Sequence, residues 1–240
     1  PETAPTVPET FDSYSGAAPD PDCWTEGTGV IGTPSALAGS SSGWTVSTSF
    51  VNVASDASAR INLYGGTNEW LISQPIDLGV TPGDYRVSFD MGARTYFGTT
   101  VPTDIGTHEV SVIVSADAGA TWNAADVIAT YTGAGIYDGS TVTIDLTAYS
   151  GVIKVAFVTN TFNSSPDLWF YIDDVFVEEI PTCFEPTALT AAGITIDGVD
   201  VSWTAPTLGT VTGYEYEVST SATPPVSGTS VAGTSVAGIT

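Results

Sequence analysis

Between Phe11 and Ile180 apolar residues return at every second position, and a stripe of helical period is almost absent. In YRVSFDMGA, Tyr85, Val87, Phe89 and Met91 share one face; in STVTIDLTAY, Val142, Ile144 and Leu146 do. HEVSVIVSA puts Val110, Val112 and Val114 on one face and Ile113 on the other, while GVIKVAFVTN and LWFYIDDVFVEE complete the set. Side chains alternate across a strand, so this period of two predicts half-buried β-strands. Turn formers separate the runs: TPGD at Thr81–Asp84, then ADAG, YDGS and NSSPD. Many short antiparallel strands over residues 9–180 predict an all-β fold, a two-sheet β-sandwich of jelly-roll type.

The pattern changes at both ends. PETAPTVPET holds three prolines among Thr, Glu and Ala; proline removes amide donors and favours extended chain, so residues 1–8 are predicted to be a linker inside a longer polypeptide. Pro181 and Pro186 flank Cys183 and mark a second boundary. Beyond it, a turn at Asp197-Gly198, a strand carrying Trp203 and a strand with Tyr214, Tyr216 and Val218 on one face resemble the first half of a fibronectin type III module. Such a module needs seven strands in roughly 90–100 residues. Residues 181–240 therefore read as a partial immunoglobulin-like sandwich, either cut short or completed by another chain.

Charge narrows the function. The 240 residues carry 27 acidic side chains against Arg60, Arg86, Arg94 and Lys154, a net charge of -23. Binding to nucleic acid or anionic lipid needs clustered cations, so both are excluded, whereas divalent cations become natural partners. Scarce lysine with abundant Ser, Thr, Gly and Val predicts an extracellular protein, secreted or on a cell surface. No apolar run reaches 18 residues, so no membrane insertion is expected. The start lacks a basic region followed by an apolar one, so an export signal would be removed or lie upstream. Cys23 and Cys183 form an even pair, which in an exported protein reads as a disulfide. Closing so long a loop would contribute up to roughly 5 kcal/mol. Two unrelated thiols are the alternative.

The run SADAGATW, Ser115 to Trp122, resembles the Asp-box hairpin of sialidase propellers. A sialidase needs several such boxes and an arginine triad, and a propeller of six four-stranded blades does not fit this length. A structural turn is expected instead: Asp117 accepts its own amides, Gly119 takes positive φ, and Trp122 packs beneath. No GxSxG, HExxH or Gly-rich phosphate loop is present, and His108 is the only histidine. The one conspicuous carboxylate pair, Asp173 and Asp174, is adjacent on a strand, so its members diverge rather than face one cleft. The chain is expected to be no enzyme.

Several segments matter as an ordered set: Phe11-Asp12, Cys23-Trp24, Trp70 to Leu78, Ser115 to Trp122, Ile144 to Gly151 and Ile172 to Val175. Together they resemble the cleaved-adhesin domains of secreted Bacteroidetes proteins, relatives of the MAM domain and similar to calcium-containing carbohydrate-binding jelly rolls. The resemblance implies a structural calcium held by Asp12, where glutamate is commoner, and by Asp173. Strand parity argues the same way. One of Asp173 and Asp174 must point inward, and a buried carboxylate needs a cation or strong donors. First and last strands of a jelly roll adjoin, which would bring Asp12 to Asp173 and Asp174, and oxygen ligands suit calcium.

Ligand contact is expected from aromatics outside the core. The stretch Ala93 to Gly106 is predicted to be a long loop carrying Arg94, Tyr96 and Phe97, with Tyr64 and Trp169 as further platforms for sugars. Trp24, Trp44, Trp122 and Trp203 are expected in cores. The function expected is non-catalytic adhesion to a glycan or surface protein, or presentation of neighbouring domains of the same polypeptide. The alternatives are an accessory domain of a secreted protease or glycosidase, and a surface-fibre subunit completed by strand donation.

Overall fold

Period-two alternation is realised as two facing sheets. The computed structural model describes residues 1–13, 23–40, 42–65, 68–160, 163–180, 187–195 and 198–205. The chain divides into two units, Pro1–Ile180 and Pro181–Thr240. In the first unit, one sheet contains β1 (Glu2–Thr3), β2 (Thr25–Thr28), β5 (Glu69–Ile72), β6 (Ile76–Asp77), β8 (Asp104–Ser115), β9 (Val127–Ala134) and β11 (Val152–Thr159). The other runs β10 (Asp138–Asp145), β7 (Tyr85–Thr95), β12 (Leu168–Glu179), β4 (Val53–Leu63), β3 (Thr45–Phe50). The architecture is an all-β sandwich. No helix among the described residues is long and apolar enough to cross a membrane.

Strands β5 and β6 run along the same side of β11 with a gap between them. Both pair with β11, through Leu71↔Phe157 and Ile76↔Ile153. Pro75 between them has no amide to give. Ser73 bridges the gap, its N–H donating to the Val155 carbonyl at 2.8 Å and its hydroxyl accepting the Val155 N–H at 3.0 Å.

The core fills the space between the sheets. Val87, Phe89, Met91 and Ala93 of β7 and Leu168, Phe170 and Ile172 of β12 meet Val110, Val112, Val114 and Phe157 from the opposite sheet. Phe157 is edge-on to Phe89 at 5.0 Å and stacked with Trp24 at 6.5 Å. Ile113, on the other face of β8, joins Trp70 and Trp122 in a second cluster that Ile31 and Leu37 cover.

Two expectations need correction. Residues 1–8 are no linker: β1 pairs with β6, Ala4 is buried, and Thr6 N–H donates to the Val177 carbonyl. The three prolines leave enough amides between them to pair. The stretch Ala93 to Gly106 is strand at both ends, since β7 continues to Thr95 and β8 starts at Asp104; Arg94 therefore sits on a sheet and the loop is 96–103. In the second unit β13 (Thr187–Ala192) pairs with β14 (Asp200–Thr204). Tyr214, Tyr216, Val218 and Cys183 lie outside the described residues, so the fibronectin-like module and the Cys23–Cys183 bridge stay expectations.

Phe157 is fully buried at the centre of the aromatic stack. Phe157→Ala is expected to cost the sandwich about 3–5 kcal/mol through lost burial and a residual cavity, measured by urea unfolding.

Candidate functional site

Alternation along β12 sends Leu168, Phe170 and Ile172 into the core, so Trp169, Tyr171 and Asp173 stand on the outer face of the five-stranded sheet. By the same rule β7 presents Asp90, Gly92 and Arg94 there, and β4 presents Ser58, Arg60 and Asn62. Register fixes their order: Trp169 lies between Arg94 and Asn62, Tyr171 between Gly92 and Arg60, and Asp173 beside Asp90. One face thus carries aromatics and cations at one end and carboxylates at the other.

At the aromatic end the Arg60 guanidinium lies 4.2 Å from the Trp169 ring, and the Tyr96 ring lies 4.9 Å from it. Phe97 packs edge-on against Tyr96 at 4.2 Å and is 95% exposed. The loop is tied down, with Tyr96 N–H on the Asp167 carbonyl at 3.1 Å and Thr95 N–H on that of Thr100 at 2.9 Å. Beside it the tip of the β3–β4 hairpin folds over the sheet. Phe50 meets Tyr171 edge-on, Val51 accepts an Arg94 Nη1 bond at 3.0 Å through its carbonyl, and Asn52 Nδ2 donates to Thr99. A side chain at Gly92 would come within 2.3 Å of Val51 Cγ2, so glycine lets the tip lie flat. Tyr64, at the end of β4, makes no ring contact with this group among the described residues.

Arg60 and Tyr171 belong to this face and were absent from the predicted set. Alternation of ARINL marks Arg60 as outward, yet its meeting with Trp169 depends on strand pairing. The three arginines form no triad. Arg86 lies eight residues back along β7 from Arg94, about 26 Å at the strand rise, and is paired with Glu178 at 2.8 Å.

The acidic end forms where the N-terminal segment returns beside β12, with Glu9 bridged to Val175. Asp173 is only 2% exposed; its Oδ1 accepts the Asp174 N–H at 2.8 Å. Loss of water, reinforced by the charges of Asp174, Asp56 and Asp12, pushes its carboxyl up to about 8 despite that hydrogen bond. Asp174 is raised too, by partial burial and by Asp90, Asp56 and Asp12. The expected divergence of Asp173 and Asp174 across the sheet is corrected. A bulge between Asp173 and Phe176, with Asp174 at φ 48°, interrupts the alternation, and the buried Asp173 lies on the outer face rather than between the sheets. Asp12 Oδ1 accepts the Ala57 N–H at 3.0 Å, and Asp90 accepts the Thr141 hydroxyl at 2.6 Å. This all-carboxylate donor set fits a hard cation by its chemistry. No group of three acidic, His or Cys side chains among the described residues is already gathered at metal-binding spacing.

The SADAGATW hairpin is closed by its own polar groups. Asp117 accepts the Ser115 hydroxyl at 2.6 Å, the Thr121 N–H at 2.9 Å and the Thr121 hydroxyl at 2.6 Å, which lower its carboxyl to about 2. Gly119 has φ 91°, and Trp122 sits edge-on to Trp70 at 5.5 Å. His108 is fully buried in β8, its Nε2 2.6 Å from the Pro166 carbonyl.

No protein-family model matches the chain, and no curated protein does. Solved structures show similarity. The K3 cleaved adhesin domain of Lys-gingipain from Porphyromonas gingivalis is 14% identical, over 72% of this chain and 99% of that one, with a TM-score of 0.44. The module TmCBM61 in complex with β-1,4-galactotriose is 15% identical, over 57% and 83%, with a TM-score of 0.37. A CBM4 structure is 13% identical, over 71% and 100%, with a TM-score of 0.39. The all-β assignment rests on the strand pairing itself.

Asp173 gives a pH dependence. The folded chain keeps a proton that the unfolded chain releases near 3.8, so stability is greatest below that value and falls as pH rises towards about 8. In chelator-treated protein the melting temperature should decline across this window, and Asp173→Asn should flatten the decline in a thermal melt series.

Proposed function

We propose that the first unit is a non-catalytic extracellular binding module of a bacterial surface or secreted protein, which holds a glycan or surface protein on the outer face of its five-stranded sheet. The observation that carries this reading is the Phe97–Tyr96–Trp169 group. An almost fully exposed Phe97 is braced by two further rings on a strand-anchored loop. Exposed aromatic surface of this kind gives up water readily on contact, and its rigidity limits the entropy lost on binding. Trp169→Ala and Phe97→Ala should each weaken retention on a glycan array at least tenfold while the melting temperature stays close to that of the parent. Equal binding by both variants would move the ligand elsewhere.

A structural calcium belongs to the same proposal. Asp12, Asp173 and Asp174 would hold it, with Asp56 and Asp90 adding negative field. Calcium would neutralise carboxylates that are paired with no cationic side chain among the described residues, and oxygen ligands are those it prefers. Calcium should raise the melting temperature of the chelator-treated protein, and Asp173→Asn should abolish the rise. An unchanged melting temperature rejects the metal.

A further inference from the structure

We propose that the ligand of the aromatic face carries a carboxylate: an acidic sugar residue whose ring lies on Trp169 and Tyr96 and whose carboxylate meets the guanidiniums of Arg60 and Arg94. This rests on the binding-module reading above and names the ligand class for the same face.

The first support is where the cations are. The chain has four basic residues among 27 acidic ones, and two of the four flank Trp169 and Tyr171. Acids are abundant enough to pair every arginine, as Glu178 does for Arg86. Neither Arg60 nor Arg94 has a carboxylate partner among the described residues. Their neighbours are rings instead, Trp169 at 4.2 Å from Arg60 and Tyr171 at 5.6 Å from Arg94. A guanidinium that stacks through its face keeps its N–H donors in its own plane, where they suit the fork of a carboxylate.

The second support is unmet hydrogen bonding. Arg60 Nε and Arg94 Nε are buried without a hydrogen-bond partner among the described residues, while the Tyr171 hydroxyl has both guanidiniums for neighbours. Such groups are rare in folded proteins and each calls for a cause. The two lie on the strands that flank β12, one on each side of it. Both guanidiniums act on the Tyr171 phenol, opposing the upward push of burial. The pattern is a positively charged donor set for which the described residues supply no carboxylate acceptor. Asp167, just before β12, accepts Asn62 Nδ2 at 2.8 Å.

Matched ligands test the charge separately from the sugar. Titration calorimetry at about 0.15 M salt, where screening beyond about 8 Å suppresses repulsion by the acidic surface, would compare tetragalacturonate with its methyl ester, and sialyllactose with lactose. The two pairs distinguish a uronate from a sialate source of the carboxylate. The acid of at least one pair should bind at least tenfold more tightly than its neutral counterpart. Arg60→Gln or Arg94→Gln should bring that ratio close to one, and Arg60→Lys should leave an intermediate ratio in a protein with the parent melting temperature. Equal affinity within both pairs, no binding by any of the four, or a ratio unchanged in both Gln variants overturns the inference. Neutral glycans retained on an array through Trp169 would then still support the binding-module reading.

Discussion

Strand β12 sits at the centre of the five-stranded sheet, and its alternation is the constraint on which the rest depends. Leu168, Phe170 and Ile172 must enter the core, because the opposing Val112 and Phe157 leave no place there for polar groups. Trp169, Tyr171 and Asp173 are thereby committed to one outer face. Pairing with β4 and β7 then delivers Arg60, Arg94 and Asp90 to the same surface. The stability of the core and the chemistry of the face are consequences of one strand read on its two sides.

Electrostatics divides that face. At one end acids gather, and the charges of Asp12 and Asp56 add to burial in raising the carboxyls of Asp173 and Asp174, which is where the proposed calcium would sit. The Arg86–Glu178 pair is half-buried, so water still screens part of its attraction. Arg60 and Arg94 differ in their neighbours, which are aromatic rings rather than a carboxylate.

Much of the fold was legible along the chain because burial on one face imposes a period of two. Val87, Phe89 and Met91, and Val110, Val112 and Val114, line the core as their spacing predicts, and Ile113 finds a second cluster on the other side. Composition misled at residues 1–8, where proline-rich sequence still pairs with β6 and β12. It misled again at Arg94, because a run of Gly, Thr and Pro after a strand does not say where the strand stops.

The candidate site was legible in part. Tyr96, Phe97, Trp169 and Arg94 could be named as residues without an evident place in the core, but nothing local tied them to Arg60, 34 positions before Arg94. The sequence by itself determined that strands form, which of their faces are apolar, and that the chain is overwhelmingly acidic, because these follow from side-chain chemistry and spacing. Tertiary structure alone decided which outward side chains become neighbours, how Asp173 is buried without entering the core, and that two arginines share an aromatic face. Those outcomes depend on strand register and on one bulge, which pairing between distant segments sets.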